Sequence, residues 1–455
     1  MSHTDDSIFQ TIQQVRTPGL LEEVISSAWI QWSERITTVK VKSNLTHYRP
    51  FRGGRVMLKA CVIYRNGGQA QKEIDLFLQI YSDIEAAQAR VKKERFRHER
   101  PPLFIPKWQA VLWTLPDVPR LRKLKKLMEP DNFRRLLLPE TEDKQGEFRD
   151  SPLKLFRFVP RKRAILTWEH PRTHRRYFVK LFNKTDALRV SNNYRQIMQI
   201  SKQSKLDFIV PELISYNSSC RALLMTEIPG KTFTEEMRQA IPGSFARVGR
   251  ILGQLHKSQA KPEMLRSPEE EIDAICTHMG EVKLALPQLG VQLDSVTTIL
   301  ANAYQYLPIP KRMPIHGNLF GDQILYGQKN IGIVDWDAFC CGDPLYDVGR
   351  LIAHLLFLGG TEGLAFSDVN SCTEALLQGY QDEVGEPVNR QWLSWHVTAQ
   401  LLMRGKISSL RKLPKDWIGQ LTFVVKEAER LVHGRSRYMN LPALNTQSER
   451  SAFSG

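Results

Sequence analysis

The chain has 455 residues, of which 42% are hydrophobic and 25% are charged, as is typical of a folded protein with two or three domains. No stretch approaches the roughly 18 consecutive apolar residues that a membrane-spanning helix needs, and the N-terminus lacks a basic region followed by an apolar run. The six cysteines are scattered and show no metal-ligand spacing. We therefore expect a cytoplasmic protein without a membrane span.

The chain is strongly basic, with a formal net charge of +16 and an isoelectric point near 9.5. Two basic runs, at 89–100 and 119–128, lie in the first third of the sequence. Such a charge favours anionic partners. The runs are not accompanied by an aromatic-interleaved RNA motif, a zinc finger or a helix-turn-helix signature, so nucleic-acid binding is only an alternative, which predicts an affinity that falls steeply with salt.

Three segments of the first half recur in the same order about 100 residues later. The aligned pairs are 48–58 with 156–166, 76–81 with 177–182, and the two ends of 104–116 with those of 208–229. The first pair places Arg55 over Arg163, and the second places Gln79 over Lys180. Each copy has apolar strands, a polar turn, an amphipathic helix and a further strand pair, which is typical of a small antiparallel sheet with one helix.

This recurrence indicates two related α+β modules, with a chance match between β-rich segments as the alternative. A strand lysine such as Lys180 can hold a phosphate group, whereas Gln79 carries no charge. We therefore expect the first module to be a degenerate copy with a structural or regulatory role.

The segment with the clearest chemistry is MPIHGNLFGDQILYGQKNIGIVDWDAFCCGDPLYDVGRLIAHLL, at 313–356. A turn at HGN leads into the strand ILY, the polar GQKN forms a hairpin turn, and a second strand, IGIV, ends in carboxylates. Amide and carboxylate groups at the ends of adjacent strands can converge on one cation. Oxygen ligands of this kind suit Mg²⁺ carried by a nucleotide.

This segment resembles the catalytic loop of aminoglycoside phosphotransferases and choline kinases, usually HGD-L-H-x-x-N-I-L followed by I-D-W-D and G-D-P-x-x-D. The resemblance implies that His316 orders the loop and that Asn318 stands at the position of the catalytic aspartate. Gln323 falls on the metal-binding asparagine, and Asp335 matches the metal-binding aspartate. The remaining acidic positions, of which the last two are expected to be structural, are filled by Asp337, Asp343 and Asp347.

Upstream residues agree with the same resemblance. Lys180, in the strand RRYFVKLF, matches the lysine that contacts the α- and β-phosphates of ATP. The segment 223–233 resembles the linker between two lobes, where backbone groups of Thr226, Glu227 and Ile228 would meet adenine. The resemblance covers about residues 150–435.

The fold that it implies is α+β and protein-kinase-like, with a small antiparallel-sheet N-lobe and a mostly helical C-lobe, preceded here by the degenerate N-lobe-like module. In chain order we expect a helical or flexible N-terminal segment (1–39), the degenerate module (40–148), the nucleotide-binding N-lobe (149–232), the helical C-lobe with the catalytic loop (233–435) and a flexible tail (436–455).

Three residues depart from the family pattern. Asn318 cannot accept a proton as an aspartate can, and Gln323 is one methylene longer than asparagine. Asp322, next to Gln323, is a carboxylate that could compensate at the metal. Either Asn318 or Asp322 is expected to orient the acceptor hydroxyl. The helix after Lys180 contains no glutamate, so Gln196 is the residue expected to hydrogen-bond the lysine.

Two functions follow from these features. The first is an ATP- and Mg²⁺-dependent O-phosphotransferase that acts on a small hydroxylated molecule. A chain this basic favours a neutral or anionic acceptor over a polycationic aminoglycoside. The alternative is a catalytically impaired, kinase-like protein that binds nucleotide or has a regulatory role.

Overall fold

The structure is a computed structural model that describes residues 6–444 apart from 18, 30–35, 65–70, 120, 122, 139–150, 160–161, 184–185, 205 and 328–329. The N-terminal module contains α1 (Ser7–Val15), α2 (Leu20–Trp29), β1 (Ile36–Arg49), β2 (Gly53–Tyr64), β3 (Gln71–Ile80), α3 (Ile84–Glu94), β4 (Leu103–Ile105), β5 (Ala110–Thr114), α4 (Lys123–Met128) and α5 (Pro130–Leu137). The N-lobe contains β6 (Lys154–Val159), β7 (Arg163–Glu169), β8 (Arg176–Phe182), α6 (Asp186–Gln203), β9 (Phe208–Ile209), β10 (Leu213–Asn217) and β11 (Ala222–Thr226).

The C-lobe is mostly helical and carries four short strands around the predicted catalytic loop. Its first half contains β12 (Lys231–Thr232), α7 (Phe233–Gln239), α8 (Pro242–Lys257), α9 (Pro268–Ala285) and α10 (Gly290–Tyr304). The loop region contains β13 (Met313–Ile315), β14 (Ile324–Tyr326), β15 (Ile331–Ile333) and β16 (Cys340–Gly342). The remaining helices are α11 (Leu345–Glu362), α12 (Phe366–Val384), α13 (Arg390–Gly405) and α14 (Trp417–Val432), with a π-helical segment at Lys406–Leu410.

The two N-terminal sheets have the same strand order, which confirms the predicted duplication. One sheet runs β1-β2-β3-β5-β4 and the other β6-β7-β8-β11-β10. The register also agrees, because Gln79 lies opposite Val111 on β5 and Lys180 lies opposite Leu223 on β11. Gln79 therefore occupies the position of Lys180. The predicted α+β fold, with a degenerate N-lobe-like module before a two-lobe kinase-like body, is confirmed.

The first aligned pair of segments is displaced by two residues in the structure. Arg55 lies opposite Gln79, whereas Ile165 lies opposite Lys180. Arg55 therefore corresponds to Ile165. Arg163 begins β7 as Gly53 begins β2, since each pairs with the residue four positions before it in the chain. The sequence alignment had superimposed the basic residues instead of the hairpins.

The N-terminal end of the third aligned pair is wrong as well. Phe104 lies on β4, at the edge of the first sheet. Its sequence match, Phe208, lies on β9 and pairs with Ile331 of the C-lobe. The second module has gained this short strand between its helix and its edge strand β10, and the match of the two FI segments had hidden the insertion.

The N-terminal module packs against the N-lobe through one shared apolar core. The ring of Phe77 on β3 lies 5.5 Å from that of Phe158 on β6 in an edge-on arrangement. The module also ends against the second sheet, where Asn217 donates a side-chain hydrogen bond to the carbonyl oxygen of Leu136 at 3.0 Å. These contacts join the two sheets into one packed unit.

The same module also contacts the C-lobe. The Tyr48 backbone N–H donates to the carbonyl oxygen of Arg411 at 2.9 Å, and the ring of Phe9 lies 5.8 Å from that of Trp417. Asp6 is buried and accepts hydrogen bonds from the Tyr48 hydroxyl at 2.6 Å and from the backbone N–H of Phe51 at 2.7 Å. The module therefore spans both lobes.

The first part of the expected flexible tail is packed against the rest of the molecule. Residues 436–444 carry four buried apolar side chains, which are Tyr438, Met439, Leu441 and Leu444. They belong to the main core, and the ring of Tyr438 lies 4.6 Å from that of Phe366. This part of the tail is packed, while its last residues, 445–455, lie outside the described part of the chain. Among the described residues, no helix has the length and apolarity to cross a bilayer.

The shared core predicts that Phe77 stabilises the N-terminal half of the molecule. Phe77 is 2% exposed, so Phe77→Ala should lower the free energy of unfolding by about 3–5 kcal/mol through lost burial and a residual cavity. The measurement is urea denaturation, and the matched control is Phe96→Ala, because Phe96 is 92% exposed. Equal effects of the two substitutions would contradict the shared core.

Candidate functional site

The Lys180 ammonium group lies between two carboxylates of the C-lobe. Its Nζ is 2.6 Å from Oδ1 of Asp335 and 2.8 Å from Oδ1 of Asp337. Lys180 reaches them from β8 of the N-lobe and is 6% exposed. The lysine and the aspartate singled out in the sequence thus meet at one buried point between the lobes.

Arg163 supplies a second cation to the same carboxylates. Its guanidinium pairs with Oδ2 of Asp337 and lies 3.6 Å from Oδ2 of Asp335. Burial alone would raise the pKa of the Asp335 carboxyl, but Lys180 and Arg163 outweigh it and hold that pKa well below its usual range. Two cations and two carboxylates therefore neutralise each other here.

The backbone at Asp335 is unusual for a residue with a side chain. Asp335 follows β15 in the left-handed region, with φ 70° and ψ 50°, and begins a short 3₁₀ turn at Trp336–Ala338. Aspartate tolerates this conformation better than most residues, although the conformation still costs free energy. The kink places both Asp335 and Asp337 against Lys180. Trp336 between them is fully buried, and its carbonyl oxygen accepts from the Asn193 side chain at 2.9 Å.

A buried carboxylate, Asp347, holds the loop that precedes the strand hairpin. It accepts the backbone N–H of His316 at 2.6 Å through one oxygen and that of Gly317 at 3.0 Å through the other. His316 is buried, which lowers the pKa of its imidazole, and its Nε2 donates to the carbonyl oxygen of Val334 at 3.0 Å. His316 thus ties this loop to the strand that leads to Asp335, as expected for a loop-ordering histidine.

Asn318 makes a contact that the sequence did not suggest. Its Oδ1 accepts a hydrogen bond from the Arg350 guanidinium at 2.8 Å, and Arg350 comes from α11. Because the amide oxygen faces Arg350, the amide nitrogen of Asn318 is free to face the other way as a donor.

The other two loop residues singled out in the sequence are engaged locally. Oε1 of Gln323 accepts the backbone N–H of Phe320 at 2.6 Å, so the amide oxygen predicted to bind metal is already occupied. Asp322 is exposed and accepts from the Thr234 hydroxyl at 2.5 Å, on the side of α7. Among the described residues, no cluster of three or more His, Cys, Asp or Glu side chains could hold a metal ion by itself.

The predicted pairing of Gln196 with Lys180 is replaced in the structure by a contact of Tyr194. The Tyr194 hydroxyl lies 3.4 Å from Nζ of Lys180, while Gln196 donates to the carbonyl oxygen of Lys261 at 3.0 Å. The difference is half a helical turn on α6, which moves residue 196 to another face. The sequence pattern indicated neither Tyr194 nor Arg350.

The segment between the lobes offers two backbone groups to a ligand. The N–H groups of Thr226 and Glu227 donate to the carbonyl oxygens of Glu212 and Arg176, each at 3.0 Å. Within the described part of the chain, the carbonyl oxygen of Glu227 and the N–H of Ile228 have no hydrogen-bond partner. The two groups belong to the same trans peptide unit and point in opposite directions, so only one of them can face a bound base.

The geometry of the His316 loop predicts that Gly317 cannot be replaced. Its φ is 75°, and a Cβ atom would collide with the carbonyl oxygen of Ala338. Gly317→Ala should therefore cost at least about 3 kcal/mol of stability. Gly363 is the matched control, because its φ is 81° but a Cβ atom there meets nothing within 4 Å, so Gly363→Ala should cost only about 1 kcal/mol. Urea denaturation of both variants measures the difference, and equal costs would refute the tight loop.

Comparison with known proteins gives one family match. The model of the phosphotransferase enzyme family matches residues 157–388, which is half of this chain. No curated protein sequence matches.

Similar solved structures include a choline/ethanolamine kinase family protein from Mesorhizobium loti, at 17% identity, covering 68% of this chain and 98% of the other, with a TM-score of 0.45. An amicoumacin kinase in complex with AMP-PNP and Ca²⁺ is 16% identical over 61% of this chain and 87% of its own, also with a TM-score of 0.45. A choline kinase from Cryptosporidium parvum is 11% identical over 66% and 92% of the respective chains, with the same TM-score. Similarities this low say nothing about substrates.

Proposed function

The chain belongs to the phosphotransferase enzyme family, and from this we propose that it transfers the γ-phosphoryl group of ATP to a hydroxyl group of a small molecule. The observation that carries the proposal is the position of Lys180 between Asp335 and Asp337. Together with Arg163, these groups form a set of opposite charges between the lobes. A metal-bound triphosphate can bind there by replacing the ion pairs within the set. Lys180 and Arg163 would then bind phosphate oxygens, and Asp335 and Asp337 would hold the metal ion.

The donor set fits a hard divalent cation in part. Asp335 and Asp337 provide carboxylate oxygens, which Mg²⁺ prefers, whereas the Gln323 oxygen is already bonded to Phe320. Asp335 and Asp337 are therefore the residues that would hold the ion. Such an ion neutralises the charge that develops on the phosphoryl oxygens.

The nucleotide base has a natural place between the lobes. In the proposed complex the carbonyl oxygen of Glu227 accepts a hydrogen bond from the amino group of adenine. Ile228 is 7% exposed and forms an apolar floor there. Lys180 and Arg163 then hold the phosphates, which places the γ-phosphate towards the His316–Asn318 loop.

The acceptor hydroxyl meets Asn318 instead of a carboxylate. The hydroxyl oxygen forms its bond to the γ-phosphorus while the bond to the β,γ-bridging oxygen breaks and ADP leaves. Asn318 can donate to the hydroxyl oxygen and so orient it, but it cannot take up its proton, which passes to solvent. A missing general base typically slows a reaction by about 10² to 10⁴, so we expect slow turnover that depends on positioning and charge.

A second candidate function is nucleotide binding without turnover. It is favoured by the contact of Arg350 with Asn318 and by the occupied amide oxygen of Gln323. In this case the protein would respond to ATP as a regulator.

Titration calorimetry with MgATP tests the nucleotide site. Wild-type protein should bind, and Lys180→Met should bind at least about 10-fold more weakly because a charge-assisted contact to phosphate is lost. Lys283→Met is the control, since the Lys283 ammonium is paired with Asp294 at 2.5 Å on an exposed helix pair. Because Lys180→Met could also weaken the fold, Asp335→Asn is measured beside it and should reduce the Mg²⁺ dependence of binding. Absence of ATP binding by the wild-type protein would end both proposals.

Asn318→Asp separates the enzyme from the regulator. A carboxylate at this position can accept the hydroxyl proton, but the neighbouring Arg350 would hold its pKa low and weaken it as a base. We expect the phosphate-transfer rate to rise by roughly 10-fold over a wild-type rate that is already measurable. The assay is acceptor-dependent ADP formation over a panel of hydroxylated compounds. Turnover that is absent in the wild type and present only in the variant would favour the regulator.

A further inference from the structure

Two arginine side chains lie against the ring of Phe320, two residues after Asn318. The guanidinium carbon of Arg350 is 4.0 Å from the ring centroid, and that of Arg404 is 5.0 Å from it. Arg350 comes from α11 and Arg404 from the end of α13. In the family pattern the position of Phe320 is a histidine, so cations from two helices surround a position that here is apolar.

The hydrogen-bond partners of both guanidinium groups are neutral. Arg350 donates to Oδ1 of Asn318 at 2.8 Å and to the Tyr346 hydroxyl at 2.9 Å, and it also contacts Oε1 of Gln400. Arg404 lies 2.6 Å from Nε2 of His354. Neither arginine forms an ion pair with a carboxylate in the described part of the chain, and the Nε atoms of both are buried without a partner.

This arrangement is costly for a protein without a ligand. Arg350 is only 7% exposed, and burial lowers the pKa of Arg404 to about 10, with the charge of Arg350 acting in the same direction. A buried charge without an opposite charge costs several kcal/mol. Proteins keep such groups mainly where a ligand supplies the missing charge.

Neighbouring charges add to the excess. Lys412 lies close enough to Arg404 for their charges to interact. Partial burial of the Lys412 side chain and the charge of Arg404 both lower the pKa of Lys412. The opposing carboxylate is Asp322, which already accepts from Thr234. Glu271 is reached only through Gln400, and its pKa is raised by burial. Three cations thus lie near the carboxylate of Asp322, with Glu271 held behind Gln400.

We propose that Arg350, Arg404 and Lys412 form a subsite for an anionic group of the acceptor, so that the molecule phosphorylated at Asn318 is a hydroxylated compound that already carries a phosphate or carboxylate. This inference rests on the proposed phosphotransferase function. Arg350 contacts Asn318 directly, so the subsite adjoins the position of the reacting hydroxyl and holds the acceptor while Lys180 and Arg163 hold the nucleotide. A polycationic acceptor is excluded there by charge repulsion.

The test measures anion binding with the nucleotide site filled. Thermal unfolding of the Mg·ADP complex is followed with increasing inorganic phosphate, with acetate, and with sodium chloride at equal ionic strength. We expect phosphate or acetate, but not chloride, to raise the melting temperature. The anion that acts at the lower concentration identifies the acceptor group as a phosphate or a carboxylate. Equal effects of all three salts would overturn the proposal.

Arg404→Gln locates the effect. The substitution should weaken binding of the active anion by about 10-fold or more, and Lys412→Gln should weaken it less, because one charge-assisted hydrogen bond accounts for a factor of this size. Arg390→Gln is the control, since Arg390 is already paired with Glu374 at 2.8 Å. Anion binding that is unchanged in Arg404→Gln would overturn the subsite.

Two further readouts separate the possible failures. Without anion, the melting temperature of Arg404→Gln should be no lower than that of the wild type, because the substitution removes a buried charge. A large drop in melting temperature together with unchanged anion binding would identify Arg404 as a structural residue. MgATP binding is measured in the same variants. If MgATP does not bind while the anion effect at Arg404 persists, the phosphotransferase function fails and the anion site stands. If ATP is turned over and neutral acceptors are preferred, the phosphotransferase function stands and the anion subsite fails.

Discussion

The ion pair of Lys180 with Asp335 and Asp337 is the interaction on which the rest of the site depends. It joins the sheet of the N-lobe to the kinked segment after β15, and its lysine is buried while the two carboxylates remain partly exposed. A buried pair of this kind adds little net stability, but removing one partner leaves an uncompensated charge that costs about 3–5 kcal/mol. Three features hold the carboxylates at this point. They are the left-handed backbone at Asp335, the hydrogen bonds of Asp347 to the His316 loop, and the packing of Trp336.

The residues of the loop around Asn318 that differ from the family pattern are joined by mutual contacts. An aspartate in contact with Arg350 would be an ion pair and a poor base, whereas the amide accepts from the arginine and keeps its donors. Gln323 closes a turn on Phe320, and Phe320 supplies the ring on which two guanidinium groups rest. The departures within this loop thus form one connected set.

The sequence predicted the elements that repeat a pattern and missed contacts between distant segments. The strand order of both modules, the meeting of Lys180 with Asp335 and the structural role of Asp347 followed from motifs with fixed spacing. The displaced Arg55 alignment and the inserted strand β9 were missed because hairpin register depends on turn geometry as well as on residue type. Tyr194 and Arg350 were missed for another reason. Their roles arise from packing between elements that are 14 and 32 residues from their partners, which local periodicity does not reveal.

The N-terminal module has a mechanical effect on the rest of the molecule. It touches the N-lobe through Phe77 and Phe158 and the C-lobe through Tyr48 and Arg411, so it bridges the two lobes. Any rotation that widens the gap between the lobes for a nucleotide must therefore break the contacts of the module with one of them. A two-lobed protein without such a module loses no contacts of this kind. The duplicated sheet therefore opposes movement of the two lobes relative to each other, even though its own Gln79 has no charge to offer a ligand.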